Sequence, residues 1–189
     1  MSIKLLDVRT LHEGFGKLVV GRFRLDEGVE VVREISDQGD SVAVLAYDPG
    51  RRIAILTRQF RAPVFYAGQE SLLLEAPAGR IEDDGPAESG RRELIEEIGI
   101  DVSQIEHIAT TWSSPGVSTE RLHLFLATFG EGDRVGDGGG LAEENENIEP
   151  VTLPLRKLAG MAERGEIADL KTLALILALQ LRRPQLFAD

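Results

Sequence analysis

GRIEDDGPAESGRRELIEEIGI, Gly79 to Ile100, is the stretch that decides how this chain is read. It joins a glycine turn, a proline-opened helix and the cluster Arg92-Glu93-Leu94-Ile95-Glu96-Glu97. Pro86 suits the first helical position and Gly99 the left-handed residue past the last turn, so the local chemistry predicts a helix over Pro86–Ile98. Residues three and four apart share a helix face, which puts Glu93, Glu96 and Glu97 together, lets Arg92 pair with Glu96, and sets Leu94, Ile95 and Ile98 on the opposite, buried side. Like charges four apart weaken a helix by roughly 0.2 to 0.5 kcal/mol per pair, which calls for a compensating charge. A divalent cation supplies one, and Mg²⁺ in particular binds through one or two carboxylates plus substrate phosphates. A solvated surface helix would also carry REL-x-EE; the glycine turn ahead and the Gly-Ile behind separate the two cases.

These residues resemble the signature of the Nudix hydrolases: a glycine, a spaced acid, then Arg-Glu-apolar-x-Glu-Glu-x-Gly-apolar. The C-terminal half matches throughout. In the N-terminal half the loop is one residue short: counting back from Arg92 reaches Asp84 where the family has glutamate, and counting forward from Gly79 reaches Gly85.

The chain has 189 residues, 42% of them apolar and 28% charged, enough for one sizeable core, and it is read as a single domain over 1–189. It contains no Cys, which removes disulfides and thiolate metal sites and agrees with a reducing cytoplasm. No leader-like segment and no apolar run of membrane-spanning length stands out, so the expected place is cytoplasmic, with no membrane partner. A formal charge of -11 disfavours nucleic acid. An anionic small substrate would have to arrive with cations.

Outside the signature, Lys4 to Arg9, Leu18 to Leu25 and Val29 to Ile35 read as three strands of a front section. Ser41 to Tyr47 and Arg52 to Arg58 read as a hairpin around Asp48-Pro49-Gly50. Ser71 to Ala76, Glu106 to Trp112, Arg121 to Gly130 and Glu149 to Leu153 are further strands, and helices are expected over Leu155 to Gly165 and Asp169 to Arg182. The last helix carries an apolar stripe through Leu173, Ile176, Leu177 and Gln180. This order indicates an α/β/α layered sandwich. The family resemblance implies the same fold, with a mixed sheet and an N-terminal antiparallel strand section, 1–36, that exchanges across a homodimer ahead of a catalytic core over 37–189.

A second acidic cluster lies in Gly138-Gly139-Gly140-Leu141-Ala142-Glu143-Glu144-Asn145-Glu146-Asn147-Ile148-Glu149, read as a mobile loop able to bring a base to bound substrate. In the nucleotide-sugar pyrophosphatase branch of the family a glutamate-rich loop before the last strand supplies the base and a further metal ligand; that resemblance makes Glu144 the candidate base and Glu146 a candidate ligand. Pro115, sixteen residues after Gly99, and the surrounding SPGVSTERLHLFLA resemble the ADP-ribose pyrophosphatase group. The stretches GGG-x(5)-E-x-I-E and Gly165 to Thr172 resemble the GDP-mannose group.

Carried over residue by residue, the resemblance implies that the Ala78 carbonyl, Glu93 and Glu97 bind Mg²⁺, with Mn²⁺ as a possible substitute, and that Arg92 and Glu96 orient them. Gly79 and Arg80, next in the turn, are expected to contact substrate. For substrate, Arg61 is the leading phosphate contact, since a guanidinium binds a phosphate through two parallel hydrogen bonds. Arg33 and Glu34 match positions that contact the nucleotide sugar from a partner subunit, Phe15 an aromatic able to stack on a base, and Glu120 and Lys171 positions near the sugar and the metals. Trp112, at the end of an apolar strand, is read as core. His12, His107 and His123 lack partners at ligand spacing and are read as structural.

The function implied is Mg²⁺-dependent hydrolysis of a nucleoside diphosphate sugar, GDP-mannose or ADP-ribose, to a nucleoside monophosphate and a sugar phosphate. Alternatives are a non-catalytic nucleotide-sugar sensor of the same fold, and a house-cleaning hydrolase of nucleoside triphosphates. Glu144→Gln and Glu146→Gln should both impair turnover, but only the Glu146→Gln loss should be partly restored by raising Mg²⁺ in steady-state assays. Equal rescue of both would defeat this division of labour.

Overall fold

The computed structural model describes residues 2–141 and 147–188. The strands are β1 (Lys4–Glu13), β2 (Lys17–Arg24), β3 (Glu30–Asp37), β4 (Ser41–Asp48), β5 (Ile53–Phe60), β6 (Leu72–Glu75), β7 (Ala78–Arg80), β8 (Glu106–Trp112), β9 (Arg121–Thr128) and β10 (Glu149–Pro154). The helices are α1 (Ala62–Tyr66), α2 (Pro86–Ile98), α3 (Leu155–Glu163) and α4 (Leu170–Arg182). Among the described residues, seven strands form one sheet in the order β10-β5-β4-β9-β8, with β6 paired to β5 and β7 to β4, and β1-β2-β3 form a second. The chain groups into two compact units, 1–41 with 110–122, and 42–109 with 123–189.

In the larger unit β4 shows why layers form on both faces. Val42 to Ala46 are all fully buried, so residues pointing to either side of the pleat are covered. Val42, Val44 and Ala46 share one cluster with Leu94 and Ile98 of α2 and with Phe125 and Ala127 of β9. Helix α3 packs on β10 and α4, and Leu155, Leu158, Leu175, Ile176 and Leu179 complete the buried set. The mixed α/β architecture expected from the sequence is the one observed.

Two local features differ from the sequence reading. Along α4 the buried positions are Thr172, Leu175, Ile176 and Leu179, while Leu177 is exposed. A run as leucine-rich as this one leaves the rotation open, and the helix start sets it: Asp169 caps α4 by accepting the Thr172 N–H at 2.9 Å, and Thr172 Oγ1 accepts the Ala76 N–H at 2.7 Å. In the β4–β5 hairpin the turn runs on past Gly50 through Arg52, read as the first residue of the next strand, which is left-handed with φ 53°.

In the smaller unit, β1 and β2 pair antiparallel with bulges between Leu5 and Asp7 and between Thr10 and His12. The first bulge adds a residue and returns Val8 to the face of Leu5, and both are exposed, as are Ile3, Leu11 and Val32. The segment 110–122 is fastened to β3 through Ser36, whose N–H donates to the Val117 carbonyl at 2.8 Å and whose carbonyl accepts the Thr119 N–H at 3.0 Å. No helix among the described residues is long and apolar enough to cross a membrane.

The buried Asp48 organises its turn. Its carboxylate accepts the Gly50 N–H at 2.8 Å, the Arg51 N–H at 2.9 Å and Arg51 Nε at 2.6 Å. The Arg51 N–H, against burial and aided by the Arg51 side chain and Gly50, holds this carboxyl below its ordinary pKa. Asp48→Ala should therefore lower stability by about 1 to 3 kcal/mol at neutral pH. A depressed folded pKa gives stability that is full above the unfolded value, about 3.9, and is lost as pH falls through the folded one. The gap in urea midpoint between wild type and Asp48→Ala should hold down to about pH 4 and shrink below it; a gap independent of pH in that range would refute the assignment.

Candidate active site

The buried face of α2 comprises Ser89, Gly90, Glu93, Leu94, Glu97 and Ile98. The carboxylates were expected on a charged face opposite the apolar one; instead Glu93 and Glu97 flank the apolar stripe on its own side, at 8% and 1% exposure. Each stands one position before a core anchor, Leu94 or Ile98, and so is turned toward the β6–β7 connection. Ile95 is 40% exposed, outside the single strip of core contact centred on Leu94 and Ile98. The helix ends as predicted: Gly99, φ 66°, donates to the Ile95 carbonyl, and the Ile100 N–H to the Leu94 carbonyl.

The glycine turn closes on these carboxylates. The Ala78 N–H donates to Glu97 Oε2 at 3.2 Å. A Cβ on Gly79 would stand 2.1 Å from Glu93 Oε1 and 2.3 Å from its Cδ, so this approach requires glycine. Arg92 lies among the acids, Nη1 being 3.3 Å from Glu93 Oε1 and 3.5 Å from Glu96 Oε2, and Nη2 3.5 Å from Glu82 Oε1. Its Nε is buried without a hydrogen-bond partner among the described residues. Its Nη1 donates to Glu96 Oε2 and its Nη2 to the Arg80 carbonyl, each in a long bond of 3.5 Å. Asp84, at the shortened part of the loop, accepts the Ser89 hydroxyl at 2.8 Å, while Ser89 Oγ accepts the Glu82 N–H at 3.1 Å. That fastens the loop to the first turn of α2.

Arg61 and Lys171 meet at a residue the sequence reading missed. Glu75, 1% exposed at the end of β6, accepts Arg61 Nε at 2.6 Å and Arg61 Nη2 at 2.9 Å, and pairs with Lys171 Nζ. Lys171 also donates to Asp169 at 2.8 Å. Burial pushes the Glu75 carboxyl up, but the Arg61 hydrogen bond and the Lys171 and Arg61 charges outweigh it and leave the group below its ordinary value. Burial likewise lowers Arg61, and Glu75, with the charges of Glu97 and Asp169, more than reverses that. Arg61 therefore lies within the field of Glu97. A signal was present in the sequence: Glu75 is a single acid between the apolar run Leu72-Leu73-Leu74 and Ala76, where a charge needs a partner if it is covered.

The NUDIX domain family matches residues 37–175, which include the turn, α2, Arg61 and Lys171. The chain belongs to the Nudix family. It is a Nudix hydrolase and is 43% identical to a GDP-mannose pyrophosphatase of Pectobacterium atrosepticum, over 78% of this chain and 76% of that one. It is 38% identical to a GDP-mannose pyrophosphatase of Cronobacter sakazakii, over 82% of this chain and 81% of that one. Among solved structures, an ADP compounds hydrolase superposes with a TM-score of 0.78 over 100% of this chain and 98% of its own; at 18% identity this likeness concerns the fold.

Of the residues expected at the Nudix site, Arg61, Ala78, Gly79, Arg80, Arg92, Glu93, Glu96, Glu97 and Lys171 fall in the larger unit. Glu144 and Glu146 lie outside the described residues. The glycines before them are fixed points rather than a hinge: the Gly139 and Gly140 N–H groups donate to the Glu97 and Glu96 carbonyls, each at 3.0 Å, at the end of α2. A Cβ on Gly138 would lie 2.3 Å from the Glu97 carbonyl oxygen. In the smaller unit, Phe15 is exposed, Glu120 accepts the Ser41 hydroxyl at 2.7 Å, and Arg33 and Glu34 line a groove of about 340 Å³ with Phe23, Pro115 and Trp112. Trp112, read as core, is 56% exposed: the outer half of β8 is uncovered, and a strand-end position gave no warning of it. His107 packs edge-on against Phe125, as a structural residue would.

No group of three or more His, Asp or Glu side chains converges as a metal cage among the described residues. The residues that could offer oxygens to a cation are Glu93 and Glu97, beside the Ala78–Gly79 main chain. Two buried carboxylates against a glycine turn offer hard oxygens and few protein ligands, which suits Mg²⁺, an ion that keeps several of its waters. Glu97→Gln preserves an acceptor for the Ala78 N–H and removes the charge. It should leave thermal stability near wild type and reduce turnover by at least about 100-fold, the upper end of the loss caused by removing an outer partner of a metal site. Gly79→Ala should lose activity on a similar scale by displacing Glu93. Full activity in either variant would sink this reading of the site.

Proposed function

We propose that this Nudix hydrolase cleaves the pyrophosphate of a nucleoside diphosphate sugar, with GDP-mannose first and ADP-ribose second, releasing a nucleoside monophosphate and a sugar phosphate. The observation that carries the reading is buried Glu93 and Glu97 over the Ala78–Gly79 turn, a few residues along the chain from Glu75, which holds Arg61 and Lys171: acidic groups to hold a cation and basic groups to hold phosphate. The GDP-mannose pyrophosphatase relatives support the choice of substrate.

Glu93, Glu97 and the Ala78 carbonyl would hold Mg²⁺, with Glu146 as a further ligand. When bound, Mg²⁺ polarises phosphoryl oxygens and lowers the pKa of water. Arg61 and Lys171 receive the phosphate charge, and Arg92 and Glu96 orient the acids. Glu144 takes the proton from the attacking water; a new P–O bond forms, the bridging P–O bond breaks, and the leaving phosphate departs as a monoester. Such a displacement needs positioned charge rather than a covalent nucleophile, so no Ser-His or Cys-His pair is called for. Residues 37–189 form the catalytic core in this reading. Residues 1–36 form the dimerisation element, for which the exposed Leu5 and Val8, brought to one face of β1 by its bulge, are suited. Arg33, Glu34, Phe15 and Glu120 would then contact the nucleotide sugar.

Product release should be measured on GDP-mannose, ADP-ribose, other nucleotide sugars and nucleoside triphosphates, with Mg²⁺ and with excess chelator. The expected result is cleavage of one diphosphate sugar, abolished by chelator and restored by Mg²⁺ or, less fully, Mn²⁺. Turnover confined to triphosphates would replace the substrate class, and binding without turnover would favour a sensor.

A further inference from the structure

We propose that Glu75 is a positioning residue for this hydrolysis: from beneath the site it fixes the plane of the Arg61 guanidinium and the place of the Lys171 ammonium, so that both meet the substrate phosphates already oriented. The proposal rests on the reading that Arg61 and Lys171 are phosphate contacts.

Glu75 is too deeply buried, at 1% exposure, to touch substrate itself. Its two oxygens receive three donors, Arg61 Nε and Nη2 and Lys171 Nζ, which satisfies a buried carboxylate that would otherwise be costly. A guanidinium has two bidentate edges. Glu75 grips the side edge, Nε with one Nη, and so dictates the direction of the end edge, between the two Nη nitrogens, on a side chain that is 37% exposed. An ammonium has three donors, of which Glu75 and Asp169 take two. Both grips leave further donor capacity on cations that cannot turn away.

The frame around Glu75 is itself closed. Asp169 accepts the Thr172 N–H at 2.9 Å and the Thr172 hydroxyl at 2.5 Å, and Thr172 Oγ1 accepts the Ala76 N–H at 2.7 Å, next in the chain to Glu75. The end of β6 and the start of α4 are therefore locked to each other, and the two cations are balanced by two carboxylates, Glu75 and Asp169. An arriving phosphate meets donors whose orientation is already paid for, which is the condition under which a bidentate contact contributes most to binding.

The test is steady-state kinetics of wild type, Glu75→Gln, Arg61→Ala and the double variant on the nucleotide sugar turned over, at saturating Mg²⁺, with thermal denaturation alongside. Glu75→Gln keeps size and one acceptor oxygen but loses the charge. It is expected to raise KM about ten-fold, the scale on which outer partners act, with a smaller change in kcat. In the Arg61→Ala background the same substitution should raise KM much less, because the guanidinium it orients is gone. An unchanged KM in Glu75→Gln, or equal effects in both backgrounds, overturns the positioning role while an Arg61→Ala defect leaves the phosphate reading intact. Arg61→Ala with wild-type KM overturns that reading instead. Should Glu75→Gln fail to fold, Arg61→Lys makes the same test: it keeps the charge, gives up the two-edged fork, and is expected to raise KM about ten-fold. A wild-type KM there also overturns the proposal.

Discussion

The rotation of α2 about its own axis is the constraint on which the site depends. Leu94 and Ile98 are committed to the cluster of Val42, Val44, Ala46 and Phe125, and a helix has only one way to satisfy both. With 100° between successive residues, that commitment brings Glu93 and Glu97 against the β6–β7 turn and leaves Ile95 outside. Chemistry and packing are thus specified by adjacent positions in the chain. A change in the core that rotated α2 by even part of a turn would move both carboxylates without altering either.

The elements with strong local chemistry were legible. Pro86 and Gly99 bracketed α2 to the residue, and β8 was read at its observed bounds. The Nudix fold followed from the signature and the strand order. The features that were not legible depend on tertiary placement. Nothing local in Leu170–Arg182 selects Leu175 and Leu179 over Leu177, because leucine recurs on every side of that helix. Trp112 looked like core by composition and lies exposed by topology. Glu75 is not legible because it is a single acid in an apolar run and its partners, Arg61 and Lys171, stand 14 and 96 residues away. For the site, the α2 residues were readable as chemistry but not as burial, and the burial is what distinguishes them from an ordinary acidic helix.

The chain is strongly acidic, at -11, yet the described part of the site is electrically mixed. Arg92 lies among Glu82, Glu93 and Glu96, and Arg61 and Lys171 among Glu75, Asp169 and Glu97. In the proposed function, the long-range repulsion of a pyrophosphate by so acidic a chain would be opposed locally by these held cations. The two arginines differ in kind: Arg61 is held by short, directed hydrogen bonds, Arg92 by longer contacts to several acids.

The attachment of Gly139 and Gly140 to the last carbonyls of α2 reaches beyond the helix itself. The Ile148 N–H returns to the Gly139 carbonyl at 3.3 Å, so one glycine is bonded through its N–H to Glu97 and through its carbonyl to the residue that leads into β10. The C-terminal end of α2 and the edge strand β10 therefore share a backbone junction. A shift of α2 along its axis is carried to the start of β10, and so to the margin of the large sheet, by main-chain bonds that no side-chain substitution removes.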